Sequence, residues 1–413
     1  MGEMQGREVE LDVTGIAHGG TGVARLDGRV VFVQDAIPGE RVAARVSDDR
    51  KKSFWRADTV RVLEASEHRR PHVWSAASVD VDPAVRAGGA EFGHVVPAHQ
   101  RELKRQVLAD ALGRFGDVDD AVREAVHVEA LPGDDERGGT GWRTRVRLHV
   151  DPEGRLGPRA ARSHHVVPVD DLPLATRAVR ETAPLDQRFP GEESVDVLAT
   201  STGGARLVVG RQAPSVVTER VGERAFRVDD TGFWQVHEGA AEALTRVVRD
   251  LVDPALFDPR AANLDLYGGV GLFAAALGDL GGPATRVTSV EGSPRATGHA
   301  AENLAEWVGA AAVTGRVERW LREQVAAASP TERARRASAT VVLDPPRSGA
   351  GADVVDALVA LDPAQVVYVA CDPVALSRDL GLFGRAGWRP AELRALDLFP
   401  STHHLETVVR LTR

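Results

Sequence analysis

The sequence predicts an α/β protein whose C-terminal part is a Rossmann-like, doubly wound domain, with a small β-barrel and a mainly β central domain before it. Three observations support this. At 413 residues the chain is too long for one ordinary core. Strand-like runs and glycine turns fill much of the first half, and from about residue 236 strands alternate with helices. We therefore predict domains over 1–65, 66–228 and 229–413.

The first domain has the pattern of a small barrel. GREVELDV alternates apolar and polar residues, and GRVVFVQDAIPGERVAARV adds two strands around the turn DAIPGE. Glycines are dense in GIAHGGTGVARLDGR, as tight turns require. A barrel of this size is a common oligonucleotide-binding module, and a generic β-domain is the alternative.

The central domain combines a helix with several strands. HQRELKRQVLADALGRF predicts an amphipathic helix over residues 99–115, which we expect to pack on the C-terminal domain. Strands are predicted in WRTRVRLHV, SVDVLAT, ARLVVGR and AFRVDD.

The C-terminal domain supplies the main sheet. A helix is predicted in EGAAEALTRVVRDLV, and strands in NLDLYG, RVTSVEG, TVVLDPP, VVYVACD and ETVVRLT. Helical segments lie between most of these strands, which indicates a largely parallel, doubly wound sheet.

Composition narrows the class of protein. The chain is 43% hydrophobic and 27% charged, as in soluble globular proteins. One cysteine excludes a disulfide framework and any metal or iron–sulfur site built from cysteine clusters. The start MGEMQGREVELDV is unlike an export signal, and no apolar run could span a bilayer. We expect a cytoplasmic protein without a membrane partner, and a monomer.

Arginine clusters leave two interpretations open. The net charge is −9, but nearly all cations are arginine, which binds phosphates and stacks on bases well. One cluster comprises Arg41, Arg45, Arg50, Lys51, Lys52, Arg56 and Arg61, and another comprises Arg143, Arg145 and Arg147. Either these bind nucleic acid or they form ordinary solvated faces.

A glycine turn indicates a nucleoside cofactor. In LDLYGGVGLF, Asp265 ends a strand and Gly268, Gly269 and Gly271 form a turn before a helix, where a ligand can approach the backbone. Glu291 ends the next strand, where an acid accepts hydrogen bonds from ribose hydroxyls. The alternative is a structural β–α turn with a surface glutamate.

Reactive side chains are predicted at the same sheet edge. Asp344 ends a buried strand and is held by the rigid pair Pro345 and Pro346. Cys371 follows the next strand, and Glu406 lies near the end of the sequence. A free cysteine is often only a small buried hydrophobe. His403 and His404 have no third ligand at metal-binding spacing, so we predict no metal site.

Several segments together resemble the RNA uracil-5-methyltransferases. The segments are DLYGGVGLF, VEGSPRATGHAAENL, LDPPRSGAG, YVACDPVALSRDL and LFPSTHHLETV, with TGFWQVHEGAAEAL before them. The first 65 residues resemble the TRAM domain, an RNA-binding barrel. The resemblance implies methyl transfer from S-adenosylmethionine to C5 of a uridine in rRNA or tRNA, without metal.

The resemblance also implies roles for individual residues. Cys371 is expected to be the nucleophile that adds to uracil C6, and Glu406 the base that removes the C5 proton. The expected cofactor-binding residues are Gln235, Asp265, Tyr267, Gly269, Gly271, Glu291 and Asp344. The expected substrate-binding residues are Phe233, Asp344, Arg347 and His404, and Trp234 is a second candidate for stacking on the extruded base.

The sequence departs from the family pattern at the iron–sulfur site. Many family members bind a cluster through cysteines in segments that match GGAEFGH, its upstream flank and VPVDDLPLA. Those segments contain no cysteine here, so we expect no iron–sulfur cluster. Gly268 and Leu272 stand where the family often has a cysteine and a cofactor-contacting asparagine.

Two other functions remain as alternatives. A different S-adenosylmethionine-dependent methyltransferase would use a similar sheet, but amino-methyltransferases place an aromatic residue where this chain has Arg347. A non-catalytic RNA-binding protein would bind no cofactor. Because of the TRAM-like domain, 23S rRNA is favoured over tRNA as the substrate.

Overall fold

The N-terminal strands close into a barrel in the computed structural model, which describes residues 4–327 and 329–413. These strands are β1 (Glu8–Ala17), β2 (Thr21–Leu26), β3 (Arg29–Gln34), β4 (Arg41–Asp48) and β5 (Phe54–Glu64). They are ordered β1-β2-β3-β5-β4, and β1 also pairs with β4, which closes the barrel. Alternating residues such as Leu11 and Val13 fill its core. The prediction of a small barrel is confirmed.

The central region contains helices and two further sheets. Its helices are α1 (Pro97–Gly116), α2 (Asp120–Ala125) and α3 (Arg177–Thr182). Its strands are β6 (Val128–Ala130), β7 (Arg145–Val150), β8 (Leu156–Gly157), β9 (Ser194–Ala199), β10 (Ala205–Val209), β11 (Val216–Val221) and β12 (Arg224–Asp229). In the described residues, one sheet is ordered β10-β9-β7-β8, and β11 pairs with β12. The predicted boundaries at 65 and 228 stay a prediction.

Helix α1 connects the central region to the main sheet. Leu108 and Leu112 share a core with residues of that sheet. The buried face of α1 also carries polar groups: the Gln100 amide donates to two backbone carbonyls, and Lys104 pairs with buried Asp397 at 2.6 Å. The apolar face expected of an amphipathic helix is therefore interrupted by buried polar groups, and these have hydrogen-bond or ion-pair partners.

The C-terminal region forms the main sheet. Its strands are β13 (Asn263–Leu266), β14 (Arg286–Glu291), β15 (Gly309–Thr314), β16 (Thr340–Leu343), β17 (Gln365–Ala370), β18 (Arg389–Asp397) and β19 (Glu406–Thr412). Its helices are α4 (Ala240–Leu251), α5 (Leu272–Gly281), α6 (Pro294–Asn303), α7 (Val317–Ala327), α8 (Pro330–Ala337), α9 (Ala352–Leu361) and α10 (Pro373–Arg385). Across the described chain the sheet is ordered β15-β14-β13-β16-β17-β19-β18-β6.

Helices cover both faces of this sheet. Val342 in β16 faces the core built with α4 and α5, whereas its neighbours Val341 and Leu343 face the core built with α9 and α10. Strands β13 to β17 are parallel, and β19 is antiparallel to β17 and β18. The predicted doubly wound α/β fold is confirmed.

Three strands of the sheet were not predicted. Strand β15, GAAAVT, has too few large apolar residues to stand out, and β18, RPAELRALD, is largely polar until its last residues. Strand β6 comes from the central region and pairs with the far edge of β18. Local periodicity carries no information about such a long-range pairing.

Candidate active site

The site lies where strands of the main sheet end. Glu291 is the last residue of β14, Asp344 follows β16, and Cys371 follows β17. Parallel strands end at one edge of a sheet, so these three side chains meet there. The pairing of Ala370 with Thr407 between antiparallel strands places the next residues, Cys371 and Glu406, opposite each other.

These residues line a cavity of about 850 Å³, a size typical of small-molecule sites. Its lining contains most of the predicted site residues: Phe233, Gln235, Tyr267, Gly269, Glu291, Asp344, Arg347, Cys371, His404 and Glu406. The structure therefore brings together residues from strand ends and loops that span most of the C-terminal domain.

Two predicted cofactor residues lie behind the cavity. Asp265 is fully buried, and its carboxylate accepts hydrogen bonds from the Ala274 amide at 3.0 Å and the Ser289 hydroxyl at 3.3 Å. Gly271 begins α5 with φ of +90° and packs against Leu304. Both residues shape the glycine turn without lining the cavity.

The turn itself is built for close approach. A Cβ on Gly268 would lie 2.1 Å from Ser289 Oγ and 2.6 Å from Asp265 Oδ2, so no other residue fits. The Glu291 carboxylate accepts from the amides of Gly269 at 3.2 Å and Ser293 at 2.7 Å, and it faces the cavity. These residues fit an adenosine-type ligand with ribose hydroxyls beside Glu291.

Acidic groups dominate the reactive end of the cavity. Burial, together with the nearby Glu406 and Asp344, raises the pKa of the Cys371 thiol to about 12. Burial and Asp265 raise the pKa of Asp344 to about 7. Burial and Asp344 hold the pKa of Glu406 well above its usual value. In the unliganded cavity at neutral pH, Cys371 is therefore a thiol.

Two guanidinium groups balance this acidity. Arg347 lowers the pKa values of both Cys371 and Glu406, and it approaches His404 Nε2 at 3.3 Å. Arg143 also lines the cavity, and its Nε donates to the carbonyl of Arg145 at 3.0 Å. In the described part of the chain, neither forms an ion pair with a carboxylate. Both are free to bind an anionic or carbonyl oxygen of a ligand.

Sequence reasoning did not place Arg143 in the site. It belongs to the run Arg143, Arg145 and Arg147, but Arg145 pairs with Glu219 and Arg147 with Asp196. The sequence shows only that three arginines alternate, and it does not reveal which of them lacks a carboxylate partner.

His404 is a neutral lining residue. Burial, His403 and Arg347 lower its pKa to about 3. His403 Nδ1 lies 3.3 Å from Oε2 of Glu91, a carboxylate contributed by the central region. Across the described residues, no group of three His, Cys, Asp or Glu side chains has the geometry to hold a metal ion.

Phe233 and Trp234 have different environments. Phe233 is 75% exposed and lines the cavity mouth, where a flat base could stack on it. Trp234 is buried and packs against Phe226 in the core. Of the two aromatic candidates, only Phe233 is accessible to a substrate.

The segments that match the family's cluster site form an apolar core instead. Trp74, Ala87, Ala90 and Leu172 belong to one buried cluster, and the Trp74 indole donates to Asp171 at 2.8 Å. These side chains offer no thiolate, so the residues present do not fit an iron–sulfur cluster.

The arginine cluster on the barrel is partly neutralised. Arg41, Arg45 and Arg50 pair with Glu10, Asp82 and Asp48 respectively. Arg56 instead lies over the rings of Phe32 and Phe54, and Lys51 lies over Phe54. This second group offers cations and aromatic faces together, the combination that binds single-stranded nucleic acid.

A groove lies next to the active-site cavity. It has a volume of about 630 Å³ and lies between the barrel and the central region. Gly89 and Glu91 line both the groove and the active-site cavity, so the two are neighbours. No helix among the described residues is both long and apolar enough to cross a membrane.

Two family models match the chain. The TRAM domain model matches residues 2–54, and the tRNA (Uracil-5-)-methyltransferase model matches residues 331–413. The first match coincides with most of the barrel, and the second includes Asp344, Cys371 and Glu406.

Relatives match over almost the whole chain. An uncharacterized RNA methyltransferase of Streptomyces avermitilis is 37% identical, with 98% of each chain covered. The 23S rRNA (uracil(1939)-C(5))-methyltransferase RlmD of Halomonas elongata is 32% identical, with 97% of this chain and 89% of the relative covered.

A solved structure shares the fold. The tRNA (uracil-54, C5)-methyltransferase of Pyrococcus abyssi, in complex with S-adenosyl-L-homocysteine, superposes with a TM-score of 0.70. The match covers 98% of this chain and 100% of that chain at 20% identity. At this identity, the likeness establishes the fold.

Proposed function

Because the chain belongs to the RNA uracil-5-methyltransferase family and is therefore an S-adenosylmethionine-dependent RNA methyltransferase, we propose that it methylates C5 of a uridine through a covalent adduct with Cys371. One observation carries the proposal: Cys371 and Glu406 face each other across paired strand ends in a ligand-sized cavity. A nucleophile opposite a base is what this reaction needs.

The cofactor is held at the glycine-turn side of the cavity. Glu291 accepts hydrogen bonds from the ribose, the turn at Gly269 lets the backbone approach, and Gln235 and Tyr267 border the same space. When bound, S-adenosylmethionine supplies an electrophilic methyl group on a positively charged sulfonium. Asp344 lies between this region and Cys371, and its carboxylate favours a cation there.

Cys371 begins the reaction as a thiolate. A positive ligand beside Asp344 opposes the acidic groups that hold the thiol protonated, and Arg347 acts in the same direction. The thiol proton leaves to solvent, and the sulfur forms a bond to C6 of the uracil. The electron pair of the C5–C6 double bond moves towards C5, which then bonds to the methyl carbon as the methyl–sulfur bond breaks.

Glu406 completes the reaction. The adduct carries both a methyl group and a proton on C5. The Glu406 carboxylate removes that proton, the C5–C6 double bond re-forms, and the sulfur of Cys371 leaves as a thiolate. The proton then passes from Glu406 to solvent and the Cys371 thiolate takes one proton back from solvent, so that the net products are 5-methyluridine, S-adenosylhomocysteine and one proton.

The target base must leave its stack to reach Cys371. Phe233 provides an exposed ring at the cavity mouth, and His404 and Arg347 border the position of the base. Arg143, which has no ion-pair partner among the described residues, supplies a guanidinium for an oxygen of the same nucleotide. The groove along the barrel gives the flanking strand a path past Arg56, whose guanidinium lies over the ring of Phe54.

Ribosomal RNA is the preferred substrate in this proposal. The barrel matches the TRAM domain model, and a relative with 32% identity acts on 23S rRNA. A chain with this substrate would work in the cytoplasm. We propose that it acts as a monomer, because the described chain itself supplies both the cavity and the RNA groove.

We propose that the enzyme works without an iron–sulfur cluster, because the Trp74 core occupies the matching segments. Purified protein should contain no stoichiometric iron and no cluster absorption. Trp74→Ala should lower the free energy of unfolding by about 3–5 kcal/mol, measured by urea titration. Asp171→Asn keeps an acceptor for the indole and should cost much less. One cluster's worth of iron per chain would contradict the proposal.

A 5-fluorouridine substrate tests the covalent mechanism. Fluorine on C5 cannot leave as a proton, so RNA carrying it should remain attached to Cys371 after methyl transfer. We expect a denaturation-resistant protein–RNA complex that requires S-adenosylmethionine, detected by gel electrophoresis and mapped by mass spectrometry. Sequencing RNA trapped from ribosomal and transfer RNA pools identifies the substrate. Active enzyme without any trapped complex would refute the adduct.

A further inference from the structure

The turn between β1 and β2 lies directly behind the catalytic strand end. This barrel turn (residues 18–20) brings His18 Nε2 to 2.8 Å from Asp372 Oδ2. A Cβ on Gly20 would lie 2.7 Å from His403 Cβ and 3.1 Å from the ring of Phe92. The barrel turn is therefore tightly packed against residues next to the active site.

Asp372 has two tasks in this arrangement. Its Oδ1 accepts from the amides of Val374 at 3.0 Å and Ala375 at 2.8 Å, which caps the start of α10. Its Oδ2 is left for His18. Because Asp372 follows Cys371 directly, its negative charge disfavours the thiolate, and it contributes to the raised pKa of Cys371.

His18 is the group that offsets this charge. The hydrogen bond that His18 donates to Asp372 raises the pKa of His18, whereas burial and Arg378 on α10 oppose that shift. Although burial raises the pKa of Asp372, the bond with His18 and the cap amides lower it overall. Of the other basic side chains near the barrel turn, Lys104 pairs with Asp397, and His403 contacts Glu91.

We propose that His18 is a positioning residue for methyl transfer, which orients and neutralises Asp372 beside Cys371 and makes thiol reactivity depend on the docked barrel. This inference rests on the proposed function, because it concerns the same nucleophile. The barrel turn and Cys371 border the same small gap of about 20 Å³, and His18 acts on the thiol through Asp372, the next residue in the chain. The barrel thus contributes to catalysis as well as to RNA binding.

A double-mutant cycle on a single thiol tests this. Cys371 is the only cysteine, so iodoacetamide alkylation reports on this residue alone. His18→Gln removes the charge, and Asp372→Asn removes its partner but keeps a helix cap. Alkylation rates of the full chain are measured against pH by mass spectrometry, without RNA or cofactor.

Below the pKa of the Cys371 thiol, the alkylation rate is proportional to the fraction of thiolate. A higher thiol pKa therefore shifts the plot of alkylation rate against pH to higher pH. At pH 6.5, where its raised pKa keeps His18 mostly protonated, His18→Gln should slow alkylation by about threefold to tenfold. In strongly alkaline solution, where the imidazole is neutral in the native chain as well, this difference should disappear. Asp372→Asn should speed alkylation, and His18→Gln should have no further effect in that background. In RNA methylation, His18→Gln should lower kcat and leave the KM for S-adenosylmethionine unchanged.

His127→Gln is the matched control, because His127 is 78% exposed and lies outside the site. An equal slowing by His18→Gln in both backgrounds would mean a general structural effect and would overturn the inference. No slowing in the native background would overturn it as well. Since alkylation needs no methyl transfer, these outcomes are distinct from a failure of the fluorouridine trap, which concerns the proposed function.

Discussion

Cys371→Ala should lower RNA methylation by at least about 10³-fold, because it removes the group that activates C5. Cofactor binding should persist, since the glycine turn and Glu291 lie on other strands. Methylation is measured by methyl transfer from labelled S-adenosylmethionine to RNA, and binding by calorimetry with S-adenosylhomocysteine.

Cys371→Ser is the appropriate companion variant. It keeps the size and the hydrogen-bonding capacity of the side chain, but a hydroxyl ionises far less readily than a thiol. It should be almost as inactive as the alanine variant, while both unfold near the native temperature. Substantial activity in either variant would show that methyl transfer does not pass through a bond to residue 371.

Glu406→Gln should separate the two halves of the reaction. The amide has nearly the same shape but cannot accept the C5 proton, so the enzyme should form the methylated adduct and fail to release it. We expect turnover to fall by about 10²–10⁴-fold. Ordinary uridine RNA should then form a covalent complex that carries the labelled methyl group.

Glu91→Gln is the control for this experiment. Glu91 is a partly buried carboxylate that also lines the cavity, but it contacts His403 instead of facing Cys371. It should not accumulate the adduct, whatever its effect on rate. If the adduct accumulated in Glu91→Gln and not in Glu406→Gln, the assignment of Glu406 as the base would be wrong.

Strand ends were the most predictable part of the site. Asp344 and Cys371 each follow a short apolar run, and Glu291 ends another, so the pattern that predicts the strands also predicts their common edge. The direction of β19 was not predictable in this way. That Glu406 lies opposite Cys371 depends on an antiparallel pairing with β17, which no local pattern encodes.

Residues that act across domains were the least predictable. The functional importance of Arg143 depends on which neighbouring arginines find carboxylates, and that of His18 depends on where the barrel docks. Asp265 was assigned to the cofactor because of its position at a strand end, yet its carboxylate turns inward to Ala274 and Ser289. Such outcomes are set by tertiary packing, which a pattern of residue types does not contain.

The place of β19 in the sheet has a consequence for biosynthesis. This strand follows every other described strand in the chain, yet it lies between β17 and β18. Cys371 is therefore synthesised before Glu406. Until β19 has been made, the position between β17 and β18 in the sheet is empty. Because a slip of one residue would turn Glu406 to the opposite face, the register in which β19 inserts between β17 and β18 decides whether the base meets the nucleophile.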